Sequence, residues 1–71
     1  MNKAQECLIR YLRISGMTIA QIAEILEMLW EEESTLEMLE YLTRYPTLDH
    51  KMLLDKAEEI ANRYKVRGVK L

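Results

Sequence analysis

The apolar residues of this chain recur every three to four positions in four separate blocks, and no stretch longer than the C-terminal tail alternates apolar with polar. Side chains three and four apart share a helix face, whereas a strand needs a period of two, so the pattern predicts an all-α protein. In the first block Ala4, Leu8, Tyr11 and Leu12 fall at i, i+4, i+7 and i+8. That is one side of a helix over about residues 3–15, capped by Asn2 and ended by Gly16, where a residue without Cβ can take a left-handed conformation.

The next start is signalled twice. Thr18 and Gln21 stand at capping-box spacing, and Met17 and Ile22 at hydrophobic-staple spacing. Ile19, Ile22, Ala23, Leu26, Leu29 and Trp30 form the expected core stripe of a second helix over about 19–31, widened by Ile25 and Met28. The run Glu31-Glu32-Glu33-Ser34-Thr35 holds neither Gly nor Pro. A helix passing through it would place Glu33 on the stripe of Leu26, Leu29 and Leu36, where an unpaired buried carboxylate costs several kcal/mol, so a break is expected. Ser34 with Glu37 then has capping-box spacing, and Leu36, Leu39, Leu42 and Tyr45 supply the stripe of a third helix over about 35–45, up to Pro46. The fourth, over about 50–65, has Asp49 as N-cap, Leu48 opposite Leu53 as a staple, and the stripe Leu53, Ala57, Ile60, Ala61 and Tyr64. The fold expected is a compact bundle of four short helices, with three helices and a fused middle pair as the alternative. Residues 1–64 form one domain in this reading, and 65–71 a basic, frayed C-terminal tail.

With 71 residues the chain buries only about 60% of its unfolded surface, too little for a core and a walled cleft together, and catalysis is not expected. The residues agree. His50 is the single histidine and Cys7 the single cysteine, so no ligand set for a metal and no adjacent nucleophile and base are present in sequence. His50 is read as a solvated first-turn residue and Cys7 as a half-buried structural one. No catalytic residue, cofactor, metal or small-molecule substrate is assigned. A lone cysteine fits the reducing cytosol, and the early charges Glu6, Arg10 and Arg13 argue against a leader peptide. The longest uncharged stretch, Ile14 to Ala23, is too short to cross a membrane.

Charge is unevenly spread. Residues 1–13 carry +2, 14–43 carry −7, 44–62 carry −1 and 63–71 carry +4. Glu24, Glu27 and Glu31 fall at i, i+3 and i+7, and with Glu33 and Glu37 they make an acidic face. It is a solvated face, a face neutralised by Arg63, Lys65, Arg67 and Lys70 in the same or a second chain, or a surface for a basic partner. The apolar surplus beyond the four stripes includes Ile9, Ile14, Met52 and Leu54, and it points to a protein-protein interface. Met28, Trp30, Met38 and Tyr41, on the second and third helices, are the candidate partner-binding residues, with a homodimer as the expected assembly.

The segment Thr18-Ile19-Ala20-Gln21-Ile22-Ala23-Glu24-Ile25-Leu26 resembles the first helix of a helix-turn-helix DNA-binding unit. That resemblance implies a regulator whose next helix enters the major groove. Thr35-Leu36 arrives twelve residues after Ala23, later than the pattern, and seven Glu with no Lys or Arg lie between Ile14 and Thr43. Nucleic acid is therefore not the expected partner; if bound, Lys3, Arg10 and Arg13 are the candidates for phosphate contacts. Over residues 8–61 the chain also resembles short uncharacterised all-helical reading frames of Gram-positive bacteria, phages and mobile elements, through Gly16-Met17-Thr18, Ile22-Ala23-Glu24-Ile25, Leu39-Glu40-Tyr41-Leu42, and Pro46 with Leu48. This implies bacterial or phage origin and adds no site residue. Three readings stay open: a self-associating interaction domain, a degenerate helix-turn-helix regulator, and a small acidic inhibitor that binds a basic surface.

Overall fold

The computed structural model describes residues 2–46 and 49–68, the side chains of 65–68 excepted. It holds four helices, α1 (Lys3–Ile14), α2 (Ile19–Met28), α3 (Glu32–Arg44) and α4 (His50–Gly68), and no strand among the described residues. The chain is an all-α four-helix bundle. None of its described helices is long and apolar enough to cross a membrane.

Local chemistry sets the boundaries. At the start of α1, Gln5 donates its backbone N–H to the Asn2 side chain at 2.8 Å, and the Gln5 side chain accepts from the Asn2 N–H at 3.1 Å. Two of the amides that a helix start leaves without partners are thereby satisfied. At its end, Gly16 takes φ +88, Met17 N–H reaches the Leu12 carbonyl at 3.2 Å, and Gly16 N–H reaches that of Arg13 at 3.0 Å. This is a Schellman closure, accompanied by burial of both Met17 and Leu12. The Thr18 and Gln21 box opens α2 as expected, with bonds of 3.1 and 3.0 Å. Asp49 opens α4 by accepting from the amides of Lys51 and Met52 at 3.0 and 3.3 Å. The expected staple partner Leu48 lies outside the described residues.

Between α2 and α3 the chain breaks, so the fused three-helix alternative falls away. The break comes earlier than expected, at Leu29 instead of after Glu31, and α3 begins at Glu32. Ser34 is therefore not an N-cap. It sits in the first turn of α3, buried, and donates to the Glu31 carbonyl at 2.8 Å. An early start puts Glu32 and Glu33 in the first turn, where the positive end of the helix dipole favours carboxylates. The hydroxyl of Thr35 completes the joint from a fully buried position: its one hydrogen lies between the carbonyl oxygens of Leu29, at 2.6 Å, and Glu31, at 2.8 Å. The broken turn thus leaves no carbonyl of its bend stranded next to the core.

α1 packs on α2 and α3, and α4 packs on the same two, while α2 and α3 stand diagonally and do not pack on each other. Hydrogen bonds tie the ends. Gln5 Nε2 donates to the Trp30 carbonyl at 3.2 Å, and His50 Nε2 lies 3.0 Å from the Ser15 carbonyl oxygen. A carbonyl only accepts, so Nε2 of His50 carries the proton in that bond. The helix ends thus alternate, and α1 and α3 run parallel. The core is Leu8, Leu12, Met17, Ile22, Ile25, Leu29, Met38, Leu42, Leu53, Ala57 and Ile60.

The stripes of α1 and α4 match expectation, whereas α2 and α3 are turned relative to it. Ile25 joins Ile22 and Leu29 inside, leaving Ile19 86% and Trp30 68% exposed. On α3 the buried face is Ser34, Thr35, Met38 and Leu42, leaving Leu36 51% and Tyr45 60% exposed. The helix of α4 also continues through Gly68, beyond the boundary expected near 65; residues 69–71 lie outside the described set.

Replacing Thr35 by Val keeps its shape and deletes the donor at the joint, so Thr35→Val is expected to lower unfolding free energy by about 1–3 kcal/mol. Thr43→Val, which removes an exposed hydroxyl donating to the Glu40 carbonyl, should change it by no more than about 0.5 kcal/mol. Urea unfolding monitored by circular dichroism measures both, and equal losses at the two positions would contradict the role given to Thr35.

Candidate functional site

Of the four residues expected to bind a partner, the structure leaves one mostly exposed. Trp30 projects from the α2–α3 joint. Met38 is completely buried and belongs to the core, which removes it from any surface. The reason is the earlier start of α3, which brings Thr35, Met38 and Leu42 to the inside at i, i+3 and i+7. Met28 and Tyr41 are half-buried and pack against the core. Tyr41 is further occupied by neighbours: its ring lies 5.3 Å from that of Tyr45, and Lys56 Nζ stands 4.6 Å above it. The four do not form one face.

The exposed apolar groups lie elsewhere. Ile14, at 80%, and Ile19 flank the α1–α2 corner, Tyr45 ends α3, Met52 lies in the first turn of α4, and Leu36 is on the outer side of α3. Two shallow depressions open to solvent beside them. One follows the outer face of α1 along Glu6, Ile9, Arg10, Arg13 and Ile14. The other lies where α3 meets Tyr64 of α4, lined by Glu33, Leu36, Glu37 and Glu40.

The acidic face is divided by the fold. Because α2 stops at Met28, Glu31 does not continue the row of Glu24 and Glu27 but stands at the N-cap of α3. Glu24, Glu27, Glu31 and Glu33 are exposed, and among the described residues none of them takes part in an ion pair. Glu37 is half-buried and paired with Arg63, which joins α3 to α4. The expected neutralisation by the C-terminal cations is thus present at one position; Lys65, Arg67 and Lys70 lie outside the described side chains. Lys3, Arg10 and Arg13 are all exposed on α1, likewise without an ion pair among the described residues. The neighbouring helix α3 opens with the exposed charges Glu32 and Glu33. A helix that opens with two carboxylates is poorly suited to a groove lined with phosphates.

Cys7 is exposed, not half-buried as expected, because the inner side of α1 is filled by Ala4, Leu8 and Leu12. It stands eight residues from Ser15, about 12 Å along the helix, and His50 is bonded at that far end. The fold does not bring the two together as nucleophile and base. His50 itself is half-buried and bonded, not the solvated residue expected. Among the described residues no three His, Cys, Asp or Glu side chains gather as a metal site would require. No family model matches the chain, and neither a curated protein nor a solved structure matches it.

Met38 and Trp30 now carry opposite expectations. Met38→Ala should lower stability by about 2–5 kcal/mol, as removal of a buried side chain does. Trp30→Ala should alter it by no more than about 0.5 kcal/mol, because a mostly exposed ring gives up little on truncation. Chemical denaturation at low micromolar concentration measures both, and a large loss at Trp30 would show that its ring helps hold the monomer together.

Proposed function

We propose that this protein is a small non-enzymatic interaction domain that associates with a second copy of itself, in the cytosol. The observation that carries this reading is the exposure of large aliphatic side chains on a chain that otherwise sorts its residues well. Leu8, Leu12, Ile25, Leu29, Leu42, Leu53 and Ile60 are sealed inside, yet Ile14 remains 80%, Ile19 86% and Leu36 51% exposed. Each of these sits on a rigid helix or at its first turn, so its exposure is set by the fold. Burying one such side chain is worth about 1.5–3 kcal/mol, and a dimer recovers that contribution twice through its symmetry.

The lone exposed thiol of Cys7 suits a reducing compartment, where it stays free. Interaction, in place of catalysis, agrees with depressions that lie open on helix faces and with carboxylates spread along the surface.

Sedimentation velocity from about 1 to 500 μM should show a monomer converting to a dimer, in the affinity range of small interfaces. The double variant Ile14→Ser with Leu36→Ser should remain folded and monomeric throughout. A wild-type chain that stays monomeric across the range would sink this reading.

A further inference from the structure

Resting on self-association as just described, we infer that the contact is made by the outer face of α1 of one copy against the outer face of α3 of the other, twice over about a two-fold axis parallel to the helices. The two faces are complementary in charge and alike in grease. On α1, Arg10 and Arg13 stand beside Ile9 and Ile14 and outnumber the one carboxylate of that face, Glu6. On α3, Glu33, Leu36 and Glu40 fall at i, i+3 and i+7, placing the apolar side chain between carboxylates about 10 Å apart. Arg10, Arg13 and Glu33 have no ion-pair partner among the described residues, while Glu40 has only the exposed side chain of Arg44, at 3.5 Å.

The fold places these faces where a second copy can use both. α1 and α3 pack side by side and run parallel, so their outer faces belong to neighbouring corners of the bundle. A two-fold axis along the bundle sets α1 opposite the partner's α3 and α3 opposite the partner's α1. Positive meets negative at both seams, and Ile14 and Leu36 are covered in the same step. An axis across the bundle would instead set α1 against α1, with Arg10 and Arg13 facing their own copies, and the like charges disfavour it.

Charge reversal distinguishes this docking from association in general. Arg10→Glu with Arg13→Glu makes both faces acidic, and Glu33→Lys with Glu40→Lys makes both basic. Each variant alone should dimerise at least about tenfold more weakly than the wild type, and weakening of the wild-type dimer by added salt should accompany this. An equimolar mixture of the two variants should restore dimerisation to within about threefold of the wild type, since every seam is again complementary. Sedimentation velocity reads all four samples, with circular dichroism confirming that each is folded. If the wild type dimerises and the reversals leave its dissociation constant unchanged, or the mixture forms no heterodimer, this docking is overturned while self-association stands. A monomeric wild type overturns both.

Discussion

Each helix of this bundle depends on the others. α2 has ten residues, α1 twelve and α3 thirteen, lengths at which an isolated helix is marginal in water because the nucleating turn costs more than its one hydrogen bond returns. What holds them is the shared seam of Leu8, Leu12, Ile25, Leu29, Met38, Leu42, Leu53 and Ile60, to which all four helices contribute. The caps then act on a structure already favoured by burial. They fix where each helix starts and stops, and so which residues meet the seam. At Thr35 this division is visible, since a hydroxyl is buried among apolar groups only because the bend supplies it with carbonyls.

Most of this architecture is legible in the residues. Thr18 with Gln21, Gly16 and Asp49 each act through a side chain or a backbone conformation that few residue types supply, and each lies where its chemistry says. The α2–α3 joint is different. Glu31 caps α3 without a side-chain bond, and Leu29 ends α2 without glycine or proline. The hydroxyls that hold the bend come later in sequence, at Ser34 and Thr35, and they act backward onto carbonyls already passed. Their residue types signal a helix start equally well at two positions three residues apart. Three residues are most of a turn, enough to exchange Leu36 and Tyr45 for Thr35 and Met38 on the inner face.

The surface inherits that ambiguity. Trp30 and Met38 look alike as interface candidates in sequence, but the end of α2 at Leu29 leaves Trp30 exposed in the joint, and the phase of α3 carries Met38 into the core. Charge suffers less, because it sums over a segment and tolerates a shift of one residue. The excess of cations on the first helix and of carboxylates before and along the third is the same in space as along the chain. Pairing within the chain, such as Glu37 with Arg63, could not be read that way, since it depends on how α3 and α4 lie against each other.

The diagonal placement of α2 and α3 has one more consequence. Sequence neighbours pack as two hairpins, α1 with α2 and α3 with α4, and the hairpins meet through α1 on α3 and α2 on α4. Only Leu29, Trp30 and Glu31 bridge them covalently. Prising the halves apart would break the packing of α1 on α3 and of α2 on α4 together, so any opening at that joint is opposed by the common core.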